Sequence, residues 1–262
     1  MPEWQGRLTI TVLGSGTSVG VPTIGCGCAV CTSSDPRDNR LRPSVLLSFN
    51  GRSVLIDATP DFRTQALRAR MDRLDAILLT HAHADHILGL DDVRPFNYHQ
   101  RSALPVYGSE ATIATVRRVF EYVFAGHPHE SSVPRLETRA INGDSFELFG
   151  AEFLPVPLKH GSGDVYGFRI GRAAYLTDHS DIPAESMELL RGLDVLFLDA
   201  LRRKPHPTHT TLARAIEYAM ELRPARAYFT HICHDLAHEA TERGLPDGVH
   251  LAYDGLEIEV EP

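Results

Sequence analysis

The stretch Asp75-Ala-Ile-Leu-Leu-Thr-His81-Ala-His83-Ala-Asp85-His86 governs how the rest of the chain is read. Its first half is a short apolar run of strand type, and Ile87-Leu-Gly-Leu90 beyond it has the look of a helix opening. Between the two lie His81, His83, Asp85 and His86. Crowding of this kind serves packing poorly, because every buried polar group needs its own partner. Neutral imidazoles with a carboxylate are instead a donor set for zinc, manganese or iron. A strand's carboxyl end is also where open α/β sheets gather their reactive groups.

Working outward, residues 8–13 read as a strand, followed by a Gly/Pro/Cys-rich loop over 14–43. Strands over 44–49 and 53–57 flank Asn50-Gly51, a strong hairpin signal. Asp61 is placed to cap a helix running to Arg70. Downstream, 105–108 reads as a strand, Ser109 as the cap of a helix through Tyr122, and 124–134 as a flap or insertion. Strands follow at 136–140, 145–148, 152–156, 167–170 and 173–176. Pro183 suits the first turn of a helix to Leu190. A buried-type strand at 195–199, a helix over 210–222, a strand at 227–230 and a closing segment at 255–260 complete the pattern. Both halves run strands first, then alternate strands with helices, without a linker or low-complexity tract. The expectation is one α/β domain over 1–262, with two packed sheets and helices outside.

A chain of 262 residues, 43% apolar and 23% charged, can bury a sizeable core. Its net charge of −8 argues against a broad surface tracking nucleic-acid phosphates. No apolar run approaches the roughly 20 residues that span a bilayer. The opening Met-Pro-Glu-Trp-Gln-Gly-Arg has neither a charged leader nor a secretory segment, so the expected location is cytoplasmic. In a reducing compartment, Cys26-x-Cys28-x-x-Cys31 points to metal or redox chemistry rather than disulfides. Three thiolates need a fourth soft ligand to close a tetrahedral zinc site near residues 20–35. His234 is one candidate and its neighbour Cys233 another.

Further ligand types end later strands: His160 after Leu154-Pro-Val-Pro-Leu158, Asp178 after Ala174-Tyr-Leu-Thr177, and His231 after Ala227-Tyr-Phe-Thr230. With the histidine turn they supply enough donors for two ions. Asp57, ending Val54-Leu-Ile-Asp57, can support a ligand or cap the following turn.

The pattern His-x-His-x-Asp-His, then separate His, Asp and His after strands, resembles the metallo-β-lactamase superfamily. The resemblance implies a four-layer αβ/βα sandwich with a binuclear centre at one edge. By motif, His81, His83 and His160 would hold one ion, Asp85, His86 and His231 the other, and Asp178 would bridge them. Zinc or manganese would suit, and iron or nickel would also fit such donors. The early cysteines, with Gly14-Ser-Gly-Thr-Ser-Val-Gly-Val-Pro22 and Tyr253-Asp-Gly-Leu-Glu-Ile258, are similar to the phosphoribosyl cyclic phosphate phosphodiesterase branch. That branch carries a structural zinc completed by a histidine.

The expected activity is therefore a metal-dependent phosphodiesterase opening a small cyclic phosphate ester, with Asp85 and Asp178 at the reacting centre and a hydroxide shared by two ions as nucleophile. His209, in Pro205-His-Pro-Thr-His209, would protonate the leaving oxygen or hold the phosphate, and is preferred to His206. Lys159, Arg202, Arg203 and Lys204 could attract an anion but read as solvated surface, and Arg94 as a helix-end salt bridge or a substrate contact. The alternatives are a tRNA 3′-processing type of endonuclease, disfavoured by the acidic balance, and a non-catalytic relative of the pyrroloquinoline quinone biosynthesis carrier. A small phosphorylated substrate, no membrane and no nucleic acid are the expected partners, and a homodimer is compatible with the resemblance.

Overall fold

The computed structural model of the protein describes residues 6–125 and 132–261. The first sheet holds β1 (Leu8–Gly14), β2 (Ser44–Phe49), β3 (Arg52–Ile56), β4 (Ala76–Leu78), β5 (Leu104–Ser109) and β6 (Leu136–Ile141). The second holds β7 (Phe146–Leu148), β8 (Ala151–His160), β9 (Gly163–Ile170), β10 (Ala173–Leu176), β11 (Val195–Asp199), β12 (Arg226–Thr230) and β13 (Val249–Leu251). The last strand, β14 (Glu257–Val260), returns to the first sheet beside β1. The orders are β14-β1-β2-β3-β4-β5-β6 and β13-β12-β11-β10-β9-β8-β7. Each sheet starts with antiparallel pairings and changes to parallel ones, at β3–β4 and at β10–β11. The strands-first pattern of each half thus becomes two similar sheets packed face to face.

Buried strands show why these runs are almost wholly apolar. Val45, Leu47, Val54 and Ile56 meet Phe153, Phe168, Tyr175 and Phe197 between the sheets. Their neighbours Leu46 and Leu55 point the other way, joining Ile77 and Leu79 against α1 (Phe62–Arg68), α3 (Arg94–Gln100) and α4 (Glu110–Val119). On the far side, Leu196, Leu198 and Phe229 pack under α6 (Ala184–Leu189) and α7 (Leu212–Leu222). Burial of alternate residues on opposite faces is the signature of sheets covered on both sides. The result is the αβ/βα sandwich.

Most expected elements are present, and the differences have local causes. Asn50 and Gly51 both take positive φ (50° and 67°), as a two-residue hairpin turn with matching twist requires. Asp61 precedes α1 but makes no cap; its carboxylate is taken by Arg42 at 3.0 Å. The helix after the histidine turn starts earlier than expected, as α2 (Ala84–Ile87), and a 3₁₀ stretch (Leu88–Val93) leads into α3, which the sequence did not reveal. Ser109 caps α4 by accepting from Thr112 N–H at 3.1 Å, but the helix breaks at Phe120 before α5 (Glu121–Phe124). Also unforeseen were α8 (His238–Glu242) and β13. Of the flap read over 124–134, residues 126–131 lie outside the described residues.

β8 and β9 form a hairpin longer than the strands read over 152–156 and 167–170, pairing from Phe153–Ile170 to His160–Gly163 and running through Pro155 and Pro157. Both are tolerated because β7 pairs with β8 only over Ala151–Phe153. Beyond it, the side of β8 facing away from β9 has no adjacent strand at those positions, and no ladder bond is lost. Among the described residues no helix is long and apolar enough to cross a membrane.

Candidate metal centre and active site

Strand ends deliver the polar groups. His81 follows β4, His160 ends β8, Asp178 follows β10, Asp199 ends β11 and His231 follows β12. Asp57, Asp178 and His231 have φ of 64°, 52° and 57°, the left-handed region where Asp and His are enriched among non-glycine residues. Such conformations persist where surrounding structure holds them, and they cluster at functional sites.

Two donor groups form at this rim. His81, His83, His160 and Asp178 make one, and Asp85, His86, Asp178 and His231 the other, with ligand atoms inside each group within 4.8 Å of one another. Asp178 is common to both. Its Oδ2 lies 3.8 Å from His81 Nε2, while its Oδ1 lies 3.4 Å from His86 Nε2 and 3.2 Å from His231 Nε2. Asp85 Oδ2 is 3.2 Å from His86 Nε2 and 4.0 Å from His231 Nε2.

The outer side of this cluster is held by Asp57, fully buried. Its carboxylate accepts from Thr80 N–H and Oγ1–H, both at 2.9 Å, and from His86 Nδ1 at 2.7 Å. Thr80 Oγ1 in turn lies 3.0 Å from His81 Nδ1 and accepts its proton. This network fixes both tautomers, leaving the Nε2 lone pairs of His81 and His86 facing inward. Of the two roles open to Asp57 in the sequence, ligand support is the one observed.

The inward atoms lack partners. His81 Nε2, His86 Nε2, His231 Nε2, Asp85 Oδ2 and His160 Nδ1 are all buried without a hydrogen bond. Buried polar atoms are rarely left so. Burial alone would raise the Asp85 and Asp178 carboxyls, yet the neighbouring imidazoles hold both well below the usual range. Conversely, burial opposes charge on His86 and His231, but Asp178 and the carboxylates beside it raise His86 well above its usual value and His231 to about 9. A cluster with that demand for positive charge, lined by unpaired lone pairs, fits divalent cations.

Beside it stands a pair that the sequence reading only half found. His209 was expected; Asp199, which accepts from His209 Nδ1 at 2.7 Å, was not. The imidazole stacks on His231 with centroids 4.6 Å apart and planes at 12°. Asp199, like Asp57 and Asp178, ends or immediately follows an apolar strand, and that shared position was the available signal. His209 lines a cleft of about 620 Å³ with His81, His83, Asp85, His160 and Asp178. His206 instead serves its own loop, accepting from Thr208 N–H at 3.3 Å. Arg94 forms an ion pair with Asp91 at 2.7 Å, as a helix-end residue would. Lys159 pairs with Asp164, and Arg202 donates to carbonyls of Lys204 and Pro205.

The cysteine loop forms a separate donor set. Sγ of Cys26, Cys28 and Cys31 lie 3.2, 3.5 and 3.4 Å from His234 Nδ1. A sulfur and a nitrogen on one tetrahedral zinc would sit about 3.5 Å apart. Cys233 is outside this group; its sulfur accepts from Asp235 N–H, and burial pushes its thiol up to about 11. Backbone N–H donation from Cys31 draws Cys28 down to about 6, favouring the thiolate. The loop is zipped to the strand-end segment by Thr17 N–H to Ile232 O and Ile232 N–H to Ser15 O, at 3.1 and 2.9 Å.

With this geometry in place, comparison with known proteins is direct. A beta-lactamase superfamily domain model matches residues 52–232. The chain belongs to the metallo-β-lactamase superfamily. More particularly, it is 56% identical to the protein in a crystal structure of a new diphosphatase from the PhnP family, with a TM-score of 0.92 over 97% of this chain and 98% of that one. An octanoyltransferase of Porphyromonas gingivalis is 40% identical over 95% of this chain and 51% of its own length. The chain thus spans about half the length of that relative. Coenzyme PQQ synthesis protein B of Methylorubrum extorquens is 30% identical over 72% of each chain.

Proposed function

We propose that the protein is a phosphodiesterase that opens a small cyclic phosphate ester at a binuclear metal centre. The observation carrying this reading is the carboxylate of Asp178 shared between two donor groups, with the Asp199–His209 pair on the wall of the same cleft. His81, His83 and His160 would hold one ion, Asp85, His86 and His231 the second, and Asp178 would lie between them. Zinc or manganese in these positions would supply Lewis acidity toward phosphoryl oxygens and would acidify the attacking water. Cys26, Cys28, Cys31 and His234 would hold a further, structural zinc.

The chain's own residues then divide the work. Asp57 and Thr80 hold His86 and His81 in the tautomer that turns Nε2 inward. Asp199 accepts from His209 Nδ1–H and so orients the ring, leaving His209 Nε2 as the atom that would exchange a proton at the cleft. In cleavage, water adds to phosphorus and gives up a proton to solvent, the ring P–O bond breaks, and the departing sugar oxygen takes the proton from His209 Nε2, which solvent then restores.

A second reading, hydrolysis of a P–O–P bond, is favoured by the likeness to a protein described as a diphosphatase. Both can be tested on metal-reconstituted protein with cyclic phosphates, linear diesters, diphosphate diesters, thioesters and lactams. The expected result is the highest kcat/KM on a cyclic phosphate. Preference for diphosphate diesters selects the second reading, and preference for thioesters or lactams discards both.

A further inference from the structure

His179 directly follows Asp178 but stands outside both donor groups. Its side chain is fully buried, and its Nε2 has no hydrogen bond. A group that only filled this space would do so at lower cost without ring nitrogens. Its Nδ1, however, reaches the residue next to His209. The buried hydroxyl of Thr210 donates to the His179 carbonyl at 2.7 Å, so Thr210 Oγ1, 3.0 Å from His179 Nδ1, accepts the ring proton. Main chain and side chain of His179 thus grip a single oxygen.

Two further ties surround this grip. The Thr210 carbonyl accepts from Leu201 N–H at 3.1 Å, and the same N–H lies 3.1 Å from Asp199 Oδ1. Tyr218 of α7 packs edge to face on the His179 ring at 6.1 Å; its hydroxyl donates to Asp181 Oδ1 at 2.6 Å and accepts from Ile182 N–H at 3.2 Å. His209 is therefore held twice: Asp199 orients its ring through Nδ1, and Thr210 anchors the chain beside it. A ring oriented by one hydrogen bond can still drift with its backbone, and a misplacement of about 1 Å can cost on the order of 10²-fold in rate.

Resting on the proton-donor role given to His209 above, we propose that His179 and Thr210 are positioning residues that fasten the segment carrying His209 to the segment carrying Asp178. The clamp fixes where the proton donor stands relative to the carboxylate shared by the two donor groups.

The test compares two compounds on metal-reconstituted protein: adenosine 2′,3′-cyclic phosphate, which expels an alkoxide, and bis(p-nitrophenyl) phosphate, whose leaving group needs no acid. Thr210→Val keeps the shape but removes the hydroxyl, and should lower kcat for the cyclic phosphate by roughly 10- to 100-fold. That loss should exceed the loss with the p-nitrophenyl diester by about fivefold or more. Added to His209→Ala, Thr210→Val should cost no more than about a further twofold, because both act on one proton transfer. Thr210→Ser, which keeps the hydroxyl, should restore the selectivity. If Thr210→Val does not fold, His179→Phe removes only the ring donor and carries the same comparison, with His179→Asn, whose amide can offer an N–H near the Nδ1 position, as its rescue. Equal losses with both compounds, or additive losses in the double variant, overturn the proposal. A second readout needs no turnover. The His209 Nδ1–H proton resonance, identified by its absence in His209→Ala, should broaden in Thr210→Val or His179→Phe and return in the rescue variants; an unchanged resonance overturns the proposal, and where the cyclic compound is not turned over this resonance alone decides. A broadened resonance in a protein that hydrolyses neither compound would remove the phosphodiesterase reading and leave the clamp, whereas hydrolysis of both with unselective losses would do the opposite.

Discussion

The two clusters of metal-type ligands are built on different principles. The cysteine loop contributes three donors from six residues and borrows a fourth, His234, from across the fold. It is half-exposed, and its four donor atoms surround one point. The histidine–aspartate cluster draws its donors from the ends of strands in both sheets, and several are held by carboxylates or hydroxyls behind them. It is buried on its protein side and open to the cleft on the other. A closed four-ligand set has no position left for a substrate, whereas an open, rigidly backed set does. On the proposed reading the first arrangement would serve folding and the second chemistry.

The largest expected effect tests the open cluster. Asp178→Ala should lower kcat/KM on every hydrolysed ester by on the order of 10³-fold or more, since several kcal/mol of charge stabilisation depends on the shared carboxylate. Metal analysis of the same variant should still find the cysteine-bound zinc. Full turnover in Asp178→Ala would break the contrast between the sites. Next, His209→Ala should cost about 10²- to 10³-fold with an alkoxide leaving group and much less with p-nitrophenolate, which needs no acid. An equal loss with both leaving groups would exclude the proton-donor role.

Cys28→Ala bears on the closed cluster. Loss of its zinc should lower the melting temperature by roughly 5–10 °C while turnover at 25 °C is largely kept. The neighbouring Cys233→Ser should retain zinc, so zinc content in the two variants distinguishes the fourth ligand's side of the loop. A collapse of turnover without a change in melting temperature would reverse the assignment of roles.

The smallest effect concerns the scaffold beneath the cysteine loop. Burial and the adjacent Arg40 hold His238 down to about 4, and its Nδ1 lies 3.0 Å from Arg40 Nη2, which donates to it. The folded state then binds fewer protons than the unfolded one between about pH 6.5 and 4. Stability is thus complete above the unfolded pKa and falls as the pH drops through that window. Melting curves should show a loss of roughly 2–5 °C across it, discounted for partial solvent access. His238→Asn, which keeps an acceptor but no titration, should flatten the slope; an equally steep slope would remove His238 as its origin.

Much of this was legible before any coordinates. The histidine turn and the strand-end ligands His160, Asp178 and His231 announce themselves because strand periodicity places them and their chemistry is unusual. Asp199 was passed over because a carboxylate closing a strand looks the same whether it faces solvent or His209. Thr80 acts only through contacts to Asp57 and His81 that no local pattern encodes. The choice between Cys233 and His234 rested on which adjacent side chain turns toward the loop, a matter of tertiary placement. The hairpin of β8 and β9 was read short, as strands over 152–156 and 167–170, because how far two strands stay paired is set by long-range register that the chain alone does not encode.

Those prolines have one more consequence. Past Phe153 the outer margin of β8 lies uncovered by β7, although Ser186 Oγ donates to Pro157 O and Lys159 N–H to Asp181 O there, and an unpaired stretch of margin would ordinarily invite a strand from another molecule to zip onto it. Pro155 and Pro157 leave it without amide donors at two successive outward positions, so an incoming chain would find gaps where its carbonyls need protons. The same two rings that spare the native ladder make the margin resistant to fibrillar growth.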